Sequence, residues 1–338
     1  YRIFACTLTG AHGWFLKAVP KVEKMIKWVT RARAAAIANQ TQGSNTYGLI
    51  FYRPYCDHAT PEFSYLSDTY LVLGLEAAAR ALQAHSNNSL AQHVWQAAED
   101  YRHDVEQSMR ASVYRTPKGL RTVPVFPQTV ELIKAANNTA KNYYSLTGSN
   151  LLEADFFSSH DASAELICNF IEQADGLVPG LVAARFDMPP AHSSIRAAKQ
   201  TFSTSAGHVD IPPTVEPWFK LVSETHLSFA LKSISRWCWY SQGMDHAYTF
   251  GLWHHRLRQG NATPAISGLY SSLAFGSSAT FSSVEVTLVG TGENYPTLPH
   301  LYSNTQQLRL LREMVLFESV ERNMMLSGNL SCVSTSFE

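Results

Sequence analysis

The 338 residues carry 27 Lys and Arg against 27 Asp and Glu, with 45% hydrophobic and 16% charged residues. A balanced charge without a basic tract gives no electrostatic support for a nucleic-acid or anionic-membrane partner. No run approaches the roughly 20 apolar residues of a membrane span. The length suits one large helical domain or two smaller ones, and we read residues 1–338 as a single domain.

Five scattered cysteines (Cys6, Cys56, Cys168, Cys238, Cys332) form no CxxC pair, so no structural zinc site is expected. Their odd number leaves disulfides and buried thiols both open. Five sequons, at Asn39, Asn87, Asn137, Asn261 and Asn329, against about two expected by chance, lean towards secretion or another extracytoplasmic location. The chain opens at Tyr1 without Met or signal peptide, which reads as a mature form or a piece of something longer.

In chain order, Trp14–Asn39 has helical periodicity, with Pro20 marking a start or kink. A Tyr-, Pro- and acid-rich loop then leads into a helix over Ser67–Ala84, with Leu71, Leu75, Ala78 and Leu82 in step. Ser89–Ser112 is a third helix, polar on one side. Gln128–Ala136, Lys141–Ala154 and Ala162–Ala174 follow as shorter helices. Asp175–Phe186 alternates as a hairpin does, and 187–217, with five prolines, reads as a long irregular loop. Trp218–Gln259 returns to helix with a break near Gly243. Thr263–Phe275 is helical, Ser283–Val289 a short strand, and Gln306–Met325 closes the chain as a helix.

The richest stretch is Gly290–Glu318. Its first half is a polar, aromatic turn. Its second is an amphipathic helix with Leu308, Leu311, Val315 and Leu316 on one stripe. A polar loop mounted on a rigid helix is a usual way to present a binding or catalytic group. About ten helices joined by alternately short and long loops fit helical hairpins arranged in a ring; an irregular all-α bundle fits the same count.

Three segments carry a resemblance: DTYLVLGLEAAARAL, GMDHAYTFGLWHHRL and TGENYPTLPHLYSNTQQLRLLREM. Together they resemble the six-hairpin glycosidase-like superfamily, whose (α/α)6 toroids include glycoside hydrolases and polysaccharide lyases. The resemblance implies an all-α toroid with a few short strands in its loops and an oligo- or polysaccharide substrate. No cofactor and no metal are implied, and the oligomeric state is left open.

Glycoside hydrolysis needs two carboxyl groups, one held protonated, separated by roughly 5 Å for retention or 6.5–9.5 Å for inversion. Asp245, Glu293 and Asp68 are the catalytic candidates, with Asp245 and Glu293 the preferred pair. The ordinary alternative for Asp245 and Asp68 is helix capping, and for Glu293 a turn or surface salt bridge. His246, Tyr248, His300, Tyr302 and Asn304 are candidate sugar-binding groups, against the commoner role of satisfied structural residues. Glu285 alternates with Val284 and Val286 and so points opposite to them. Arg53, Tyr55 and Asp57 could supply a second wall of the cleft. A metal at His254–His255 is not expected, because adjacent helical residues point about 100° apart. Two other functions fit the same residues: a lyase with a Tyr or His base, and a non-catalytic toroid that binds glycan or protein.

Overall fold

The computed structural model describes residues 12–52, 61–84, 87–127, 130–135, 137–140, 143–178, 181–185, 242–276, 282–288, 294–295, 299–319 and 324–327. The chain is mostly helical, with a few short strands. The expected 187–217 loop and the helix expected over 218–241 lie outside the described residues.

Helix α1 spans His12–Asn39 and runs through Pro20. Two short strands, β1 (Phe51–Tyr52) and β2 (Glu62–Phe63), pair antiparallel across the next loop. Helix α2 (Tyr65–Ala84) buries Val72, Leu75, Ala78, Ala79 and Leu82. Helix α3 (Asn88–Ala111) buries Ala91, Val94, Ala98, Tyr101, Val105 and Met109. Both stripes step by three and four residues, so each stays on one face, and α2 packs along α3 as a helical hairpin. Each large side chain removed from water there contributes about 1.5–3 kcal/mol.

A two-stranded ribbon, β3 (Tyr114–Arg115) with β4 (Arg121–Thr122), turns at Gly119, whose φ of 87° favours glycine. Helices α4 (Glu131–Ala135), α5 (Tyr143–Glu153) and α6 (Ala162–Gln173) follow. Helix α6 is capped by Asp161, whose carboxylate accepts from the N–H groups of Ser163 (2.8 Å) and Ala164 (3.0 Å). Replacing it, Asp161→Ala, is expected to cost about 1 kcal/mol and lower Tm by about 2 °C in a thermal melt.

The largest sheet is an antiparallel meander of β5 (Leu177–Val178), β6 (Leu181–Arg185), β7 (Gln242–Asp245), β8 (Val286–Leu288) and β9 (Asn294–Tyr295). It includes the expected hairpin and the expected strand near 286. It also corrects the expectation of helix up to Gly243: Gln242–Asp245 is a strand between β6 and β8. Helix α7 (Phe250–Arg258) lies at the centre of the second half, packed on α5, on α8 (Ala262–Gly276) and on α9 (Leu301–Val315). Buried Arg256 ties α7 to α6 through Glu172 (2.8 and 2.6 Å) and Glu165 (2.8 Å).

Two expectations for the closing helix are corrected. It starts earlier and ends at Val315, and Leu316–Ser319 (β10) pairs with Met324–Ser327 (β11) as a hairpin. Its apolar stripe also faces outwards, with Leu308 65% and Val315 51% exposed, while Ser303, Gln306, Gln307 and Leu310 are buried. Polar groups already inside the fold account for this. Ser272 accepts from Gln307 (2.8 Å), and Glu153 accepts from Gln306 (2.5 Å). Among the described residues, no helix is long and apolar enough to cross a membrane.

Candidate functional site

The segment 282–288 draws the site together. His246 N–H donates to the Glu285 carbonyl (2.8 Å) on one side, and His300 N–H to the Ser283 carbonyl (2.8 Å) on the other. Asn304, one turn into α9, accepts from Ser283 N–H through its Oδ1 (2.9 Å). Residues distant in sequence, Asp245–Tyr248, Glu285 and His300–Asn304, thereby meet where β7 ends and β8, α7 and α9 begin.

Asp245 is 1% exposed. Its Oδ1 accepts from the N–H groups of Ala247 (2.9 Å) and Tyr248, closing the turn before α7. It is thus the last residue of a strand and not a helix start, and its carboxylate closes a turn ahead of α7 without capping the helix. Its Oδ2 is buried without a hydrogen-bond partner. Burial pushes its pKa from 3.8 up to about 7; the two N–H bonds oppose this, and the charge of Glu285 adds to it. Asp245 is therefore largely a carboxylic acid below about pH 7 and ionises as the pH rises through it.

Glu285 is half-buried, while Val284 and Val286 beside it are buried, as their alternation predicts. It lies one residue from Val286, the ladder partner of Asp245. The His300 ring stands 3.8 Å from its carboxylate. Because His300 Nδ1 accepts the Ser303 N–H (3.3 Å), a neutral ring carries its proton on Nε2, the nitrogen facing Glu285.

Tyr248 and Tyr302 approach each other with ring centroids 5.7 Å apart, and His300 packs edge-on to Tyr302 at 6.3 Å. The Tyr302 hydroxyl donates to Glu153, a buried carboxylate at the end of α5 that also accepts from Gln306 and lies 3.4 Å from Arg309. Burial and the Glu153 charge hold that phenol far above its usual range. Tyr302 therefore offers a ring face, with its hydroxyl already engaged.

His246 departs from its expected sugar-binding role. Its ring is fully buried, with Nδ1 on Ser272 (3.3 Å) and Nε2 on Thr287 (3.0 Å), so both nitrogens are satisfied by the protein. A Cβ at Gly276 would overlap this ring, so glycine there makes room for it. Burial lowers the His246 pKa to about 3, leaving it neutral.

Asp68 belongs to a different centre. It does not cap its own helix: Oδ1 accepts from Ile50 N–H (3.2 Å) and from the Tyr101 hydroxyl, joining α2, α3 and the segment that leads into β1. It too is fully buried, with an unpartnered Oδ2 and a pKa raised by burial to about 7. Glu293, Arg53, Tyr55 and Asp57 lie outside the described residues. Among the described residues no group of His, Cys, Asp or Glu could hold a metal ion. His254 instead pairs with Glu313 (2.5 Å). Cys168 is a buried free thiol, and the other four cysteines lie outside the described residues.

Sequence reasoning missed Glu153, Ser303 and Arg309. They carried no signal, because an ordinary Glu closing a helix and a helical Arg look like surface residues until α9 turns its polar side inwards. The chain matches no family model, and a search of curated proteins finds no match.

Proposed function

We propose that this chain is a carbohydrate-active protein of the α/α-toroid kind, acting as a glycoside hydrolase. The supporting observation is Asp245, a carboxyl group kept protonated towards pH 7 beside a second, half-exposed carboxyl, Glu285. The helical hairpin of α2 and α3 and the paired α7 and α8 are in keeping with a toroid of hairpins. In this reading Asp245 gives its proton to the leaving glycosidic oxygen. Glu285, oriented by His300, takes the proton of the attacking water, or attacks directly where the two carboxyls stand close. Tyr248 and Tyr302 present ring faces to a sugar. Glu293, in the β8–β9 connection, is the other choice for the second carboxyl.

A non-catalytic role is the second reading, and the 1% exposure of Asp245 favours it: the residue would then only close its turn. The lyase reading is weaker, since His246, one of its candidate bases, is fully buried with both ring nitrogens engaged by Ser272 and Thr287.

Reducing-end release from a panel of plant and bacterial polysaccharides and aryl glycosides tests these readings. A hydrolase loses at least about 10³-fold in turnover on Asp245→Asn or Glu285→Gln, with binding retained. Products absorbing in the ultraviolet would mean a lyase, and glycan binding without turnover a binding module.

A further inference from the structure

Among the described residues, helix α1 is the most basic element of a chain that is neutral overall. Between Lys17 and Arg33 it carries six cations and a single acid, Glu23. Its apolar side chains Val22, Ile26 and Val29 are buried in the core. Arg33 is engaged by Asp104 and lies 5.4 Å over the Tyr101 ring. Lys24, Lys27 and Arg31 differ: they are exposed, and among the described residues none enters an ion pair.

These three share one face, at positions i, i+3 and i+7, with about 10 Å of helix axis from first to last. The ring of Trp28 lies among them, 51% exposed, and is steadied edge-on by Tyr52 at 6.2 Å. With Ala32 they line a shallow depression of about 460 Å³.

We propose that this face of α1 binds an acidic oligosaccharide. Lys24, Lys27 and Arg31 pair with carboxylate or sulfate groups along the sugar chain, and the exposed indole stacks on a ring face. A membrane surface suits the helix less well, because the apolar stripe that would insert is already packed into the core. A nucleic acid suits it less well because the chain is neutral overall and, among the described residues, carries no second exposed basic helix to extend this face. The proposal shares no residue with the Asp245 centre and does not depend on its chemistry.

The test titrates the full chain with oligogalacturonate (carboxylate) and a heparin oligosaccharide (sulfate), with a neutral dextran oligosaccharide as control. At least one acidic probe is expected to bind, dextran is not, and raising the salt from about 50 to 300 mM weakens binding. The combined Lys24→Ala, Lys27→Ala and Arg31→Ala variant loses at least about 10-fold in affinity. Trp28→Ala loses several-fold, and Trp28→Phe recovers most of it. The substituted side chains are exposed, and an unchanged far-UV spectrum verifies that the variants fold. The proposal is overturned if neither acidic probe binds, if the triple variant binds as the native chain does, or if phosphatidylserine vesicles or oligothymidylate bind in place of the sugars. The source of the anionic group follows from which acidic probe is retained.

Discussion

Between about pH 4 and pH 7 the native protein is expected to lose about 2–4 kcal/mol of stability relative to its Asp68→Asn variant. Asp68 is fully buried, and desolvation raises its pKa from 3.8 to about 7, only partly opposed by the bonds from Tyr101 and Ile50 N–H. The folded protein therefore keeps a proton that the unfolded chain releases. Stability is fully present below about pH 4, and is lost as the pH rises through about 7 and the carboxyl ionises inside the fold. At 1.36 kcal/mol per pH unit the full span corresponds to on the order of 4 kcal/mol, and relaxation around the ionised group reduces it. Asn keeps the Oδ1 acceptor for Tyr101 and Ile50 but cannot ionise; its unpaired amide N–H adds a penalty that does not vary with pH.

The comparison between variant and native chain matters because the absolute pH profile hides this slope. His246 and His255 are held by burial at about 3, so the unfolded chain takes up protons as the pH falls below about 6.5. That opposes the trends of Asp68 and Asp245 between about pH 4 and 6.5 and leaves a broad plateau. Below it Glu313, lowered to about 2 in the folded state by His254 and Arg309, adds to the loss. Urea unfolding at half-unit pH steps, for both proteins, measures the difference directly. Parallel profiles would mean that Asp68 titrates as an ordinary carboxyl.

Local periodicity carried most of the helices. The steps of Leu75, Ala78 and Leu82, and of Val94, Ala98, Tyr101 and Val105, are local and strong, and α2 and α3 appear where they indicate. Periodicity reports that a stripe exists, but not that this chain covers it. Leu308, Leu311 and Val315 make a regular stripe on α9, yet Glu153 and Ser272 offer hydrogen-bond partners to its polar side, and that side turned inwards. Asp245, His246 and Tyr248 were legible because they are neighbours in sequence. Their meeting with Glu285 and His300 was not, because it depends on the register that sets Asp245 opposite Val286 and on the bond from His300 N–H to the Ser283 carbonyl. Asp68 shows the reverse failure. Its position on the first turn of α2 reads as a cap, but its carboxylate reaches across to Ile50 and Tyr101. Overall charge was misleading for a similar reason: a zero sum conceals the basic face of α1.

Gly251→Ala is expected to destabilise the protein by at least about 3 kcal/mol, although helix propensity alone favours Ala by about 1 kcal/mol. Gly251 sits in the first turn of α7, where that helix crosses α5. A Cβ there would overlap the carbonyl oxygen of Ser149, lie 2.7 Å from its carbonyl carbon, and 2.9 Å from the Glu153 nitrogen. These are backbone atoms of a helix and cannot swing aside, so the two helices would have to separate. Their contact does more than fill space. Thr249 makes no side-chain cap for α7; the Ser149 hydroxyl, from α5, accepts from Leu252 N–H (3.0 Å) and donates to the Tyr248 carbonyl. Separation would therefore uncap α7, disturb the turn that Asp245 closes, and draw Glu153 away from Tyr302. Gly74→Ala on α2 is the matched control: nothing lies within 4 Å of a Cβ there, and the substitution is expected to gain about 0.5–1 kcal/mol. Denaturant midpoints for the two variants should move in opposite directions. A Gly251→Ala protein as stable as the native chain would show that α5 and α7 do not meet at this crossing, and would remove the support on which the Asp245 centre rests.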